Sequence, residues 1–376
     1  MSSALTDLFR HPIVQAPMAG GVSVPRLAAA VSEAGGLGFL AAGYKTADGM
    51  YQEIKQLRSI TSCPFGVNLF MPQPEYPGAS AGSAGAAGAA LPSAAAIDVY
   101  AHQLAGEATW YEAELGDPDS GRDDGYDAKL AVLLDNPVPV VSFHFGVPSR
   151  DALDALHRVG TFTLVTATTV EEALAVQRAG ADGVIVQGVE AGGHQGTHRD
   201  VPETDGGGIG LMSLIAQVRE AVSVPLIAAG GIMRGSQIVA ALAAGASAAQ
   251  LGTAFLATPE SGANALHKQA LTNPLFVRTE LTRAFSGRPA RGLVNRFMRE
   301  HGPYAPAAYP EIHHLTAPLR KAAAQAGDAQ GMALWAGQGH RMARELPAGQ
   351  LVEVLAAEIE AARTELSAAP ASGGGA

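Results

Sequence analysis

Short apolar runs alternate along this chain with alanine-rich segments whose apolar positions recur at helical spacing. Residues 13–16, 37–40, 66–69, 140–143, 162–166, 183–187, 225–229 and 247–251 read as eight strands. Helices are predicted between them at 25–34, 46–60, 149–159, 170–179, 209–221 and 235–244, with Gly35, Gly180 and Gly245 standing where left-handed caps are wanted. Repeated strand-helix units imply a parallel α/β sheet, and eight of them predict a TIM (β/α)8 barrel, whose sites lie on the loops after the strands. An open doubly wound sheet is the alternative that eight strands also permit.

The alternation breaks after NLFMP. Residues 73–127 hold the tract GASAGSAGAAGAALPSAAA, an amphipathic stretch IDVYAHQLAGEATWYEAEL, and then DPDSGRDDGYD. Such a composition predicts a flexible insertion, either a lid over the third strand or an inert extension. The barrel is therefore expected over 1–72 and 128–275, interrupted by the 73–127 insertion. A helical region over 276–367 is expected to cover the substrate, with the helices of 317–366 across the barrel mouth, and 368–376 to form a disordered tail.

Charge narrows the partners. The 35 acidic residues exceed the 25 basic ones, a balance that repels a phosphate backbone and argues against nucleic acid. Arg278, Arg283, Arg288, Arg291, Arg296 and Arg299 nevertheless cluster, as a solvated helix face or as a basic rim that draws in an anion. Cys63 is the single cysteine, which excludes an internal disulfide or a cysteine zinc cluster and fits a reducing cytoplasm. The start, MSSALTDLFRHP, has no secretory pattern. The uncharged run 235–259 is interrupted by Ser236, Gln237, Ser247 and Gln250, so it reads as a helix and a strand rather than a membrane span. A cytoplasmic protein without a membrane partner is expected.

Polar residues gather at the strand ends. Gly230-Gly231 follows the seventh predicted strand and Gly252-Thr253 the eighth, where barrels commonly bind phosphate on exposed backbone N–H groups. The run at 206–210 lacks dinucleotide-fingerprint spacing and reads as a loop. After the sixth strand comes QGVEAGGHQGTHRD, with His194 and His198 four apart. Two ligands at that spacing align on a helix, which Gly192, Gly193 and Gly196 disfavour, so no metal is expected. A histidine above a barrel suits proton transfer near neutral pH, or serves only as a hydrogen-bonded structural group.

Taken together, PIVQAPMAGGVSVPRLAAAVSEAGGLG, PFGVNLF, VSFHFG, GADGVIVQGVEAGGHQG, PLIAAGGIMRGSQIVAALAAGASAAQLGTAFLATPES and LWAGQGHRMARELPA resemble the nitronate monooxygenase family, formerly 2-nitropropane dioxygenases, in its bacterial class I branch. The resemblance implies an FMN-dependent barrel that oxidises alkyl nitronates, such as the toxic metabolite propionate-3-nitronate, with O2 to a carbonyl compound and nitrite. It assigns Pro17, Met18, Asn68, Gln187, Gly192, Gly193, Gly230, Gly231, Gln250, Gly252 and Thr253 to FMN. His194 becomes the catalytic base for neutral nitroalkanes, with Ser142, His144, Tyr309 and His313 in the substrate pocket and His198 a bystander. His313, Ala317 and His267 depart from tyrosine, lysine and tyrosine positions of the family. A homodimer is a candidate assembly. Two alternatives remain: an NAD(P)H-dependent flavin reductase of a quinone or enoyl thioester, and a non-catalytic barrel that binds a phosphate-bearing ligand.

Overall fold

In the computed structural model, residues 5–73, 94–200 and 208–368 are described. Strands β1 (Ile13–Gln15), β2 (Gly38–Ala41), β3 (Phe65–Phe70), β4 (Val140–His144), β5 (Phe162–Ala167) and β6 (Gly183–Gln187) are followed by a two-residue strand, β7 (Gly193–His194), and by β8 (Leu226–Ala229) and β9 (Ala248–Leu251). All of these except β7 form one parallel sheet in the order β1-β9-β8-β6-β5-β4-β3-β2. A parallel bridge between Val14 and Leu37 joins β1 to β2 and closes the ring. Closure decides for the barrel over the open sheet.

Period-two alternation sorts each strand into two faces. Val141, Phe143, Val165, Val184 and Val186 pack outward with the helices. Val14, Phe39, Val140, Leu164, Ile185 and Ile227 fill the barrel interior, and Leu5 and Leu8 of the short Leu5–Leu8 helix join that inner cluster. Gly66 is glycine because a Cβ there would lie 2.2 Å from the Phe39 ring that fills the lumen. The helices Ala47–Ile60, Arg150–Arg158 and Val170–Ala179 start at hydroxyl caps, Thr46, Ser149 and Thr169, each accepting a backbone N–H. Gly35, Gly180 and Gly245 take positive φ of 91°, 95° and 110°, as left-handed caps require.

The segment between β3 and β4 has two parts. Most of the Gly/Ala/Ser tract expected to be flexible, 78–93, lies outside the described residues, as do the first residues of the 206–210 run and the tail beyond 368, while its last three residues open a helix. Residues 94–110 are helical, at Ala94–Gln103 and Ala105–Trp110, and pack on the C-terminal region. Tyr100 is fully buried there and donates to Ala284 O at 2.7 Å. Glu107 pairs with Arg296 and, at 3.2 Å, with His301.

Two expectations for the C-terminal region need correction. Of the two long helices described beyond residue 310, only Glu311–Gln325 lies near the barrel mouth. The helix Ala348–Ala368 instead packs outside, between the helices Pro25–Glu33 and Gly235–Ala243, where Glu358 accepts the N-terminal N–H of Gly235 at 2.8 Å. Its apolar stripe, Leu351, Val352, Leu355 and Ile359, belongs to the sheet-helix core, which is why it joins the outer ring. The clustered arginines form neither a shared helix face nor a rim. Arg283 pairs with Asp200 at 2.6 Å and Arg278 with Glu280 at 2.7 Å, while Arg288 and Arg291 are buried. Asp200 and Glu107, which answer Arg283 and Arg296, lie far away in sequence, so counting neighbours along the chain missed them. No helix of the described residues is long and apolar enough to cross a membrane.

Candidate active site

The inward face of the barrel changes character toward the strands' C-terminal ends. Val140 gives way to Ser142 and His144, Leu164 to Thr166, Ile185 to Gln187, and Ala248 to Gln250. Apolar side chains fill the lumen below, and polar ones floor a cavity of about 370 Å3 above. That volume falls in the ~300–1,000 Å3 range of small-molecule and cofactor sites.

Every residue that the resemblance assigned to the cofactor lines this cavity. Their bonding separates holders from props. Gln187 Oε1 accepts the Gly196 N–H at 2.7 Å and its Nε2 donates to His194 O at 3.1 Å, so its amide ties down the loop that carries His194. Asn68 Nδ2 donates to Ser142 Oγ at 2.9 Å, which leaves its carbonyl oxygen as the remaining polar atom. Thr253 Oγ1 accepts the Gly337 N–H at 2.9 Å and keeps its own proton to donate. Gln250 Oε1 is buried without a hydrogen-bond partner among the described residues. At Gly192 a Cβ would stand 2.5 Å from backbone atoms of Ala336 and Gly337, so only glycine lets the β6 loop meet the C-terminal segment.

His194 does not ride on a free loop. It sits on β7, which pairs antiparallel with β11 (Ala290–Leu293), itself paired with β10 (Thr279–Thr282). His194 Nε2 is hydrogen-bonded to Ser286 Oγ at 2.8 Å, and its ring contacts Phe145, Tyr309 and Trp335 at centroid distances of 5.6, 5.6 and 5.7 Å. Burial, with Arg288, His144 and Arg320 nearby, holds its pKa well below the usual 6.5, so the ring is neutral. His198 donates from Nε2 to Thr166 O at 2.8 Å, Asp200 pairs with Arg283, and Glu190 caps the helix Leu211–Ala221 through the Leu211 N–H. The acids and second histidine around His194 are thus each committed to the fold.

Of the residues that the resemblance assigned to a substrate pocket, His144 and His313 line the cavity, and Ser142 and Tyr309 stand behind it. Ser142 is fully buried one inward step below His144, and its hydroxyl serves Asn68. The Tyr309 hydroxyl lies 3.1 Å from that of Tyr44, whose ring stacks on His313 at 3.9 Å and lines the cavity. Burial lowers the pKa of His144 to about 3 and of His267 to about 4, the latter although its Nε2 donates to Trp335 O at 2.9 Å. Burial and Arg320 keep His313 well below its ordinary value.

Sequence reasoning missed Arg320, Tyr44, Trp335 and Ser286. Arg320 lies on the helix Glu311–Gln325, three residues after Ala317, and lines the cavity. The helical i, i+3 relation could have pointed to it once Ala317 was placed at the mouth. Ser286 carried no local signal, because the turn that brings it to His194 is set by the β10-β11 hairpin.

Comparison with known proteins agrees with this geometry. The family model described as nitronate monooxygenase matches residues 2–358. A nitronate monooxygenase of Pseudomonas aeruginosa is 43% identical over 364 residues, covering 94% of this chain and 99% of the relative. One from Paraburkholderia phytofirmans is 39% identical over 360 residues, covering 93% and 92%. Among solved structures, nitroalkane oxidase from Streptomyces ansochromogenes superposes with a TM-score of 0.91 at 76% identity, covering 97% of this chain and 100% of its own. FabK from Thermotoga maritima superposes with a TM-score of 0.70 at 28% identity, covering 96% and 97%. By its matched sequence and by the barrel that carries these residues, this chain belongs to the nitronate monooxygenase family.

Proposed function

We propose that this chain is an FMN-dependent enzyme that oxidises alkyl nitronates with O2 to a carbonyl compound and nitrite. The observation that carries this reading is the neutral, fixed His194 in a cavity whose glycine rim and unpaired acceptor await a ligand. Gln250 Oε1 fits a cofactor because a buried acceptor without a donor costs roughly 1–3 kcal/mol until one arrives. Gly230 and Gly231, at φ of 134° and 67°, present backbone without side chains at the barrel's phosphate position. Asn68, Gln250, Gly252 and Thr253 would complete the hold on FMN.

When bound, FMN supplies the one-electron chemistry and the reaction with O2. The chain supplies orientation and proton handling. A neutral nitroalkane must first lose its α-proton, and His194 is the group placed to take it. Its Nε2 faces Ser286, so Nδ1 is the nitrogen available to the substrate when Nε2 carries the proton. The Trp335, Phe145 and Tyr309 rings around it keep water from competing for that nitrogen.

Nitrite release by the purified protein in air, from ethylnitronate and from nitroethane, tests this reading. Yellow protein that releases nitrite is expected. Anaerobic bleaching of its flavin by NADH and not by nitronate would instead favour a reductase, the activity class considered alongside it from sequence.

A further inference from the structure

The ionic make-up of the cavity runs against that of the protein. The chain carries a net charge of −10, yet among the described residues no Asp or Glu lines the cavity, and Arg320 is the one ionic side chain that does. Its Nη2 donates to His313 O at 2.8 Å and to His313 Nδ1 at 3.3 Å, and its Nε reaches Thr316 O at 3.4 Å. All these acceptors are neutral. Among the described residues no carboxylate pairs with Arg320, and its Nη1 makes no hydrogen bond.

We propose that Arg320 selects the ionisation state of the substrate: it receives the charged nitro-group oxygens and so favours a nitronate anion over the neutral nitroalkane. This rests on the oxidation proposed above. A guanidinium removed from water without a counter-charge is costly, and an arriving anion offsets that cost where a neutral molecule does not. The two N–H bonds of Nη1 are the donors left for an oxygen-bearing anion, since those of Nη2 and Nε are held by His313 and Thr316. His313 assists. Because Arg320 donates to Nδ1, the neutral ring carries its proton on Nε2, which makes it a second donor beside the guanidinium. Stacking on Tyr44 at 3.9 Å and 6° fixes the plane of that ring. The substrate class that follows is a small anion with two oxygens on a planar centre, and the selection acts on binding rather than on proton removal.

The test compares Arg320→Met and Arg320→Lys with the wild type, using ethylnitronate and nitroethane. In Arg320→Met the KM for ethylnitronate is expected to rise by about 10- to 100-fold, the value of hydrogen bonds to a charged group. The KM for nitroethane should stay within about threefold, since no full charge is lost against it. Arg320→Lys, which keeps the charge but not the planar guanidinium held by His313 and Thr316, should fall between. Equal changes for both substrates, or none, overturn the proposal.

A second measurement needs neither variant nor turnover. Calorimetric titration of the wild-type protein should show propionate binding and its neutral isostere propionamide failing to bind. Equal binding of the two, or none by propionate, overturns the selection of anions. If wild-type protein binds propionate yet releases no nitrite from either nitro compound, the oxidation reading falls and the anion receptor stands.

Discussion

Ser286→Ala removes the hydroxyl that hydrogen-bonds His194 Nε2 at 2.8 Å, and its cost can be worked from that contact. While His194 is neutral, the bond is an ordinary one, worth about 0.5–1.5 kcal/mol net. Once Nδ1 takes the α-proton the ring is an imidazolium, and the same bond becomes charge-assisted, worth about 1.5–3 kcal/mol. The difference, about 1–1.5 kcal/mol, is what Ser286 contributes to the proton-transfer step. At about 1.36 kcal/mol per decade this predicts a loss of roughly tenfold in kcat/KM for nitroethane. Ethylnitronate has already lost that proton, so its kcat/KM should change by no more than about twofold. The other hydrogen bonds of Ser286 Oγ, with Arg288 O at 3.3 Å and Arg288 N at 3.4 Å, are long, so the fold should tolerate the change. Steady-state nitrite release with both substrates is the assay. Equal loss on both, or full nitroethane activity in Ser286→Ala, refutes the role given to His194 and its partner.

Burial depresses the His194 pKa, so the base-competent form persists below pH 6.5; kcat/KM for nitroethane should hold through that value, and a break at or above 6.5 would count against the assignment. Stability runs the other way with acid. His144 and His267 have folded pKa values near 3 and 4, below the unfolded 6.5, so the unfolded chain binds protons first and stability is lost as pH falls from about 6.5 toward 4. Thermal denaturation from pH 7.5 to 5 should show a falling Tm, and a constant one contradicts the buried neutral rings. Gly192→Ala places a Cβ 2.5 Å from backbone atoms of Ala336 and Gly337, which cannot rotate away. A loss of about 1–3 kcal/mol in urea unfolding is expected, together with weaker flavin retention, and wild-type values for both would remove the argument for a close approach there.

Much of the barrel was legible because its determinants are local. Each barrel strand is a short, mostly apolar run bounded by glycine, proline or a hydroxyl residue, and these signals act over a few residues. The strand-end polar residues were legible for the same reason. Asn68, His144, Gln187 and Gln250 interrupt apolar runs at the strands' C-terminal ends, where a parallel barrel has nothing left to bury. The arginine cluster was misread because Arg283 and Arg296 have acid partners that answer them over long range. Asp200 and Glu107 meet Arg283 and Arg296 only after the chain has folded back, and no local count of acids contains them.

Sequence by itself determined the repeated strand-helix pattern, the glycines that cap or cradle, and the histidine placed after β6. Three other features were decided by tertiary structure alone. Closure of β1 on β2 turned a sheet into a barrel, because it rests on one bridge between Val14 and Leu37 that no propensity encodes. Pairing of β7 with β11 fixed His194 against Ser286, since two residues form a strand only when a partner edge is already in place. The packing of the helix Glu311–Gln325 carried Arg320 into a cavity that no carboxylate of the described residues lines. Its local sequence, HHLTAPLRKAAA, shows adjacent basic residues on a helix, and only the neighbours brought in by folding make Arg320 the single ionic side chain among the described residues that line the cavity.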